Sequence, residues 1–266
     1  MRSVGNRAFR PRWLRNLCST RFPKLSVTEA PLLHNNILAL VITFAVSLLW
    51  LRLNDFAAAR GWVSSRLSRK IIHIGTGPLF VLCWLLFDDA PSARYLAALV
   101  PLLITVQFAL IGLGIIRDDA AVQAMSRSGD RREILHGPLF YGIAFVVLTI
   151  LFWKDTPTGM VALMLLCGGD GIADLVGRRW GKHPLPWSPQ KTWEGSLAVF
   201  LGGWVLAAAV LAVYVAAGVF PAPWTAYLAP LTAIALAATL TESLPLHEVD
   251  NLTVPLVAAL IARLWW

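Results

Sequence analysis

The sequence predicts an all-α, polytopic integral membrane protein with about seven to eight transmembrane helices. Hydrophobic residues make up 57% of the 266 residues and charged residues only 14%, while the mean hydropathy of +0.65 lies well outside the range of soluble domains. Several apolar stretches are long enough to cross a hydrocarbon layer of about 30 Å. Because lipid offers the backbone no hydrogen-bond partners, each stretch is expected to form a helix.

Eight apolar stretches are the predicted spans. Six are clear, at 34–53, 93–116, 138–153, 195–219, 222–241 and 251–266. Two more, at 71–87 and 157–176, are interrupted by His73 and by Asp170 and Asp174 respectively. We expect each of these two to be a helix with one end in a polar cavity, since an ionisable group is costly in lipid. The loops are too short to fold alone, so 31–266 is predicted to be a single transmembrane domain.

The basic loop residues predict the orientation of these spans. In the eight-span arrangement, three basic residues, Arg94, Lys154 and Arg263, fall on one side of the membrane. Thirteen fall on the other side: Arg52, Arg60, Arg66, Arg69, Lys70, Arg117, Arg127, Arg131, Arg132, Arg178, Arg179, Lys182 and Lys191. The positive-inside rule places the side with thirteen on the cytoplasmic or equivalent face.

The N-terminal segment 1–30 is strongly basic and has two interpretations. It contains seven Arg and Lys residues, and its one acidic residue is Glu29. An Arg-rich, acid-poor segment is typical of an organelle transit peptide, and its removal would resolve its conflict with the charge count. Alternatively, it is a basic arm that lies on anionic lipid. The predicted location is a plastid membrane in the first case and a bacterial inner membrane in the second.

The segment 167–196, CGGDGIADLVGRRWGKHPLPWSPQKTWEGS, concentrates charged residues in an otherwise apolar chain. Asp170, Asp174 and Arg178 are each four residues apart, so on a helix they form one stripe. Paired carboxylates suit Mg²⁺, which binds one or two carboxylates together with substrate phosphates and water. The sequence therefore predicts a Mg²⁺ site at Asp170 and Asp174. The alternative is that both carboxylates are structural ion-pair partners and the neighbouring glycines serve helix packing.

Basic residues near this stripe are candidates for binding a polyphosphate. Arg178, Arg179, Lys182 and Lys191 follow the two aspartates and supply the opposite charge. At the start of the second span, Arg69, Lys70 and His73 are spaced to share one helical face, where they are candidates for phosphate or hydroxyl contact. A lone histidine in an apolar segment is more often structural, so both interpretations of His73 stay open.

Two further polar segments are predicted on the same face. Glu133 precedes a Gly137–Pro138 break, so its carboxylate either reaches the site or caps a helix. Glu242, Asp250 and Asn251 bracket a proline-containing turn between two apolar helices. Such polar clusters at helix breaks are typical of ligand sites in membrane proteins. A solvated loop is the alternative.

Five segments of the chain together resemble the CTP-dependent polyprenol kinase family, which includes phytol, farnesol and dolichol kinases. In order, they are RKIIHIGTG at 69–77, REILHGPLFYG at 132–142, GDGIADLVGRRWGK at 169–182, KTWEGS at 191–196 and ESLPLHEVDNLTVPL at 242–256. The resemblance implies a Mg²⁺-dependent membrane kinase that transfers the terminal phosphate of CTP or UTP to an isoprenoid alcohol such as phytol, farnesol, geranylgeraniol or dolichol. KTWEGS departs from the KSxAGS that we associate with plant phytol and farnesol kinases, which leaves the alcohol open.

The resemblance also implies roles for the polar residues. Asp170 and Asp174 are expected to bind Mg²⁺. Glu242 or Asp250 is expected to be a further metal or hydroxyl contact. The residues expected to bind nucleotide or substrate are Arg69, Lys70, His73, Glu133, Arg178, Arg179, Lys182, Lys191, Thr192, Glu194 and Asn251.

Two other functions are considered. Phosphatidate cytidylyltransferase is a related membrane enzyme that also uses CTP and Mg²⁺, but it releases pyrophosphate and leaves a CDP-lipid. A transporter is less expected, because paired broken segments in matching halves are not evident. The expected partners are therefore the nucleotide, an isoprenoid alcohol and the lipid bilayer, with no nucleic acid.

Overall fold

The computed structural model describes residues 35–221, 223–246 and 249–266. The basic segment 1–30, interpreted above as an arm or a transit peptide, lies outside the described residues. Within the described ranges the chain forms nine α-helices: α1 (Asn36–Ala59), α2 (Ser65–Cys83), α3 (Ala93–Leu113), α4 (Asp119–Met125), α5 (Gly137–Leu151), α6 (Thr158–Trp180), α7 (Trp193–Ala216), α8 (Leu228–Glu242) and α9 (Asp250–Ala262).

Short segments of other secondary structure join the helices. The 3₁₀ turn Trp84–Leu86 extends α2, Arg131–Leu135 precedes α5, and Trp224–Tyr227 precedes α8. A small antiparallel hairpin, β1 (Pro184–Leu185) and β2 (Ser188–Thr192), connects α6 to α7.

Each of the eight predicted spans coincides with a helix, so the predicted all-α membrane fold is confirmed. With their adjoining 3₁₀ turns, seven helices of the described chain are long and apolar enough to cross a membrane. The eighth, α9, is apolar but has only 13 residues, so it is roughly 20 Å long at a rise of about 1.5 Å per residue. The sequence analysis did not predict α4 or the hairpin.

Two ion pairs mark one end of the bundle. There Arg94 lies 2.8 Å from Asp155, and Lys154 lies 2.9 Å from Asp89. Lys154 also donates to the carbonyl oxygen of Phe87. The loops at 114–136 and 181–192 and the turn before α9 lie at the other end, which we call the basic end.

Helix α6 is the central helix of the bundle. All its residues from Thr158 to Gly169 are buried, and it packs against α2, α5, α7, α8 and α9. The charged part of α6 begins at Asp170, directly after this buried run. The two predicted metal-binding aspartates therefore stand where the most buried helix reaches the basic end.

Glycines let α6 and α7 approach closely. A Cβ at Gly168 would lie 2.7 Å from the carbonyl oxygen of Gly202, and a Cβ at Gly202 would lie 2.8 Å from that of Gly168. Small residues commonly allow such backbone contact between membrane helices. Gly168, two residues before Asp170, therefore serves helix packing.

Gly202→Val is expected to destabilise the protein, because the new side chain would overlap the backbone of α6 and Ile172. Overpacking of this kind costs about 1–3 kcal/mol, so thermal unfolding in detergent should occur at a lower temperature. Gly177→Ala is the control, since its Cβ would meet neighbours only at 3.5 Å and beyond and alanine favours helix. Equal unfolding temperatures for the two variants would contradict the close packing of α6 and α7.

A cysteine introduced near Arg127 and another near His183 are expected to be labelled from the same side of the membrane, the cytoplasmic or equivalent face, because both loops lie at the basic end. The measurement is reaction with a membrane-impermeant thiol reagent in sealed vesicles of known orientation. A cysteine near Lys154, at the opposite end, should be labelled only from the other side. Labelling of the Arg127 and His183 sites from opposite sides would overturn the eight-span topology.

Candidate active site

A cavity of about 370 Å³ opens among α1, α2, α3, α5, α6 and α9. Its two ends differ in chemistry. The charged end lies at the basic end of the bundle and is lined by Arg69, Lys70, His73, Arg127, Glu133, His136, Asp170, Asp174, Lys191, Asp250 and Asn251. The apolar arm runs between the helices and is lined by Ser47, Leu51, Ile72, Thr76, Phe80, Val100, Pro101, Ile104, Thr105, Phe108, Met125, Gly137, Pro138, Tyr141, Gly142 and Phe145.

Asp170 is held by two side chains of α2. The Lys70 Nζ lies 3.3 Å from Asp170 Oδ2 and donates to the Asp170 carbonyl oxygen at 3.2 Å. The His73 Nε2 lies 3.4 Å from the same Oδ2 and 3.2 Å from the Leu166 carbonyl oxygen. Lys70 and His73 are one helical turn apart, as the sequence predicts, so one face of α2 presents both to the end of the buried α6 segment.

Asp174 has one oxygen paired and one oxygen without a partner. The Arg178 Nε lies 2.6 Å from Asp174 Oδ1, so the predicted stripe of Asp170, Asp174 and Arg178 exists on α6. Asp174 Oδ2 is buried and has no hydrogen-bond partner, and the same is true of Asn251 Oδ1. Buried polar atoms are rarely left unsatisfied, so these two oxygens in the cavity wall indicate a ligand site.

The carboxylates fit Mg²⁺ in the manner expected for a nucleotide enzyme. Within the described residues, no group of three or more His, Cys, Asp or Glu side chains could hold a metal ion by itself. Asp170 and Asp174 both line the cavity, and Oδ2 of Asp174 is free to bind. Because Mg²⁺ usually completes its shell with substrate phosphates and water, two carboxylates suffice.

Lys191 reaches the cavity from the hairpin and is held there by α8. Its Nζ lies 2.8 Å from Glu242 Oε1 and also donates to the Glu242 carbonyl oxygen. Next to it, Trp187 donates from Nε1 to the Ser243 carbonyl oxygen at 3.1 Å. Glu242 is only 7% exposed and does not itself line the cavity. Its contact with Lys191 makes it a positioning residue for that cation.

Asp250 and Asn251 line the cavity from the first turn of α9. The Asn251 Nδ2 donates to the Gly137 carbonyl oxygen at 3.1 Å, which joins α9 to the start of α5. Glu133 lines the cavity, as one of its two predicted interpretations expects. Its carboxylate accepts from the Arg127 backbone N–H and from Ser128 Oγ. Both donors lie in the loop between α4 and the 3₁₀ turn, so these bonds do not cap a helix.

Besides Glu242, five predicted site residues do not line the cavity: Arg178, Arg179, Lys182, Thr192 and Glu194. The Arg179 guanidinium lies over the Trp180 ring, and Lys182 is exposed. Thr192 caps α7 by accepting from the Gly195 N–H at 3.1 Å, and Glu194 pairs with His183 at 2.6 Å. The role of these five residues in nucleotide binding stays a prediction.

Arg127, His136 and Tyr141 line the cavity near its charged residues but were not predicted from the sequence as site residues. Arg127 adds a cation to the charged end, and His136 adds an imidazole ring to the same end. Tyr141 donates to the His73 carbonyl oxygen at 2.7 Å, and its ring lies 4.5 Å from that of His73. His136 and Tyr141 belong to the REILHGPLFYG segment quoted above, so that motif carried the signal.

A charged cavity end that continues into an apolar arm, among helices long and apolar enough to cross a membrane, is typical of an integral membrane protein with a polar and an apolar ligand. Residues 28–244 match the cytidylyltransferase family. The chain belongs to this family and, within it, to the CTP-dependent polyprenol kinases that include the phytol kinases.

Curated relatives span most of the chain. "Probable phytol kinase, chloroplastic" of Triticum aestivum is 42% identical over 212 residues, covering 79% of this chain and 71% of the relative. "Probable phytol kinase 1, chloroplastic" of Oryza sativa subsp. japonica is 40% identical over 241 residues, 90% and 76% of the two chains. "Phytol kinase 1, chloroplastic" of Arabidopsis thaliana is 39% identical over 207 residues, 77% and 68%. No solved structure matches the chain.

Proposed function

We propose that this protein is a Mg²⁺-dependent lipid-alcohol kinase that transfers the terminal phosphate of CTP to an isoprenoid alcohol, with phytol as the first substrate to test. The family and the phytol kinase relatives support a kinase of prenol-type alcohols. The observation that carries the proposal is the continuity of the charged end and the apolar arm in one cavity.

The two ends of the cavity suit the two substrates of this reaction, one apolar and one charged. An isoprenoid alcohol partitions into the bilayer, while a nucleotide stays in water, so the reacting groups can meet only near the membrane face. Asp170, Asp174 and Lys191 line the charged end of the cavity, and Phe80 and Phe145 line the arm deeper in the bundle. The alcohol can then keep its chain in apolar surroundings while its hydroxyl group reaches the charged end.

The balance of charge around the cavity supports a divalent cation. Four cations, Arg69, Lys70, Arg127 and Lys191, face four carboxylates, Glu133, Asp170, Asp174 and Asp250. These charges formally cancel, so a triphosphate would add uncompensated negative charge. Asp170 and Asp174 would hold Mg²⁺, which would supply positive charge to offset that of the phosphates.

The transfer itself needs positioning and charge stabilisation. The alcohol oxygen forms a bond to the terminal phosphorus while the bond from that phosphorus to its bridging oxygen breaks. CDP leaves, and the hydroxyl proton goes to a carboxylate. Asp250 is the best-placed acceptor, because it lines the cavity whereas Glu242 is paired with Lys191. Lys191 and Arg69 are placed to stabilise the phosphates.

A plastid membrane is part of the proposal. The relatives are named chloroplastic, and the Arg-rich, acid-poor composition of 1–30 is typical of a transit peptide. CTP is proposed over UTP because of the family to which the chain belongs.

Phosphatidate cytidylyltransferase activity is the second candidate, and the description of the matching family favours it. The products distinguish the two reactions. Under the present proposal, purified protein should convert CTP and phytol to CDP and phytyl phosphate, and it should form no product from CTP and phosphatidate. Formation of pyrophosphate and a CDP-lipid would support the alternative and overturn the kinase.

Asp170→Asn and Asp174→Asn are each expected to lower kcat by roughly 100-fold or more, equivalent to about 2.7 kcal/mol of transition-state stabilisation. Asparagine keeps nearly the same volume but loses the charge that Mg²⁺ requires. The measurements are specific activity and thermal unfolding on the same purified variants. Excess Mg²⁺ or Mn²⁺ should partly restore a variant that keeps weak metal binding.

Asp155→Asn is the matched control, because Asp155 also pairs with an arginine but lies at the opposite end of the bundle. It should retain wild-type turnover. If Asp170 and Asp174 are only structural ion-pair partners, their variants should instead unfold at lower temperature while activity per folded molecule stays normal. A stable double variant with ordinary turnover would refute the metal site.

Lys191→Ala should raise the apparent KM for nucleotide roughly tenfold if Lys191 binds ground-state phosphate, since a charged hydrogen bond contributes about 1.5–3 kcal/mol. If it acts mainly in the transition state, kcat should fall instead. Glu242→Gln should produce a smaller change of the same kind, because Glu242 acts through Lys191.

A variant that carries both Lys191→Ala and Glu242→Gln tests whether Glu242 acts through Lys191. In the Lys191→Ala background, Glu242→Gln should change nucleotide kinetics little, since the side chain that it positions is already gone. Additive effects of the two substitutions would show that Glu242 contacts metal or substrate independently. Normal kinetics for Lys191→Ala would remove this lysine from the site.

A further inference from the structure

The apolar arm of the cavity has a closed inner end. Phe80 of α2 and Phe145 of α5 are each 2% exposed, and Val100 of α3 is 1% exposed. All three line the arm at the level farthest from the charged end. Along α2, Lys70 and Phe80 are ten residues apart, so this inner end lies about 15 Å from the charged end.

Aromatic packing fixes this inner end. The rings of Phe80 and Phe145 lie 5.7 Å apart, and each contacts a second aromatic ring, Trp84 at 6.0 Å and Tyr141 at 4.6 Å respectively. Trp84 packs in turn on Trp153 at 5.0 Å. Behind Phe80 and Phe145 the bundle is therefore filled with buried aromatic side chains, and an acyl or prenyl chain has no room to continue past them.

The walls of the arm suit a hydrocarbon chain. Two hydroxyl groups in it are already bonded to backbone: Thr76 donates to the Ile72 carbonyl oxygen and Thr105 to that of Pro101. A prenyl chain would therefore cover no unsatisfied hydroxyl of either threonine. The charged side chains that line the cavity all stand at its charged end.

We propose that Phe80 and Phe145 are the residues that select chain length, because they set an upper limit on the prenyl chain that the arm accepts. This inference rests on the proposed lipid-alcohol kinase activity and adds the residues that determine its specificity. A long-chain polyprenol is expected to be a poor substrate because the arm ends at these two rings.

The first test enlarges the inner end. Phe145→Ala and Phe80→Ala are assayed with farnesol, geranylgeraniol, phytol and a long-chain polyprenol, each presented in the same nanodiscs. The ratio of kcat/KM for the polyprenol to that for farnesol should rise by about tenfold or more, the effect typical of one group in an apolar pocket. Phe145→Leu serves if an alanine variant does not fold.

The second test shortens the arm. Ile104, on α3, lines the arm between the charged end and Val100. Ile104→Phe should reduce kcat/KM for geranylgeraniol and phytol by about tenfold relative to farnesol. Phe220→Ala is the matched control, because Phe220 is a buried aromatic residue that stacks on Tyr214 at 5.5 Å and does not line the cavity. It should leave the ratios unchanged.

The outcomes separate this inference from the proposed function. If the wild-type protein phosphorylates prenols but the enlarged and shortened variants keep its chain-length ratios, the length limit is refuted. Equal use of phytol and a long-chain polyprenol by the wild-type protein would also refute it. If no alcohol is phosphorylated, the proposed function fails, and displacement of a bound fluorescent farnesol analogue by the same alcohols then tests the length limit directly.

Discussion

The arrangement of this protein depends on holding a carboxylate directly after the buried segment of its central helix, α6. Asp170 follows twelve consecutive buried residues of α6 and is tolerated there because Lys70 and His73 of α2 lie against it. Removing a charge from water costs several kcal/mol unless a partner compensates it. The position of α2 beside α6 is therefore fixed by charge as well as by packing, and the cavity forms along this contact.

Close helix packing and an open cavity occur in different parts of the bundle. Around α6, glycines allow close contact, as at Gly168 and Gly202 toward α7 and at Gly77 beside Cys167 toward α2. The apolar arm lies outside α6, where side chains of α1, α2, α3, α4 and α5 line it. Helix α6 lines the cavity with Asp170 and Asp174, where its charged part begins. The same helix thus supports the fold by close packing along its buried segment and contributes charge to the cavity beyond it.

Much of the fold could be predicted because membrane helices follow directly from apolar length. All eight predicted spans are helices, and the interruptions at His73 and Asp170 marked the two helices that meet at the site. The hairpin at 184–192 could not be predicted, since its strands are short and polar and depend on docking to α8. Likewise, the pairing of Lys191 with Glu242 joins residues 51 positions apart and has no local signature. Arg127 was missed because it was counted only as a loop charge.

The order of the charged partners along the chain has a consequence for biogenesis. Lys70 and His73 precede Asp170 by about a hundred residues, so in N-to-C synthesis their helix is in the membrane before α6 arrives. The charge of Asp170 is therefore offset as α6 inserts. Lys191 precedes its partner in the chain, so it is held in place only after Glu242 of α8 has been synthesised. The protein thus acquires a stable interior first, and its catalytic geometry is completed only when the last helices of the bundle have assembled.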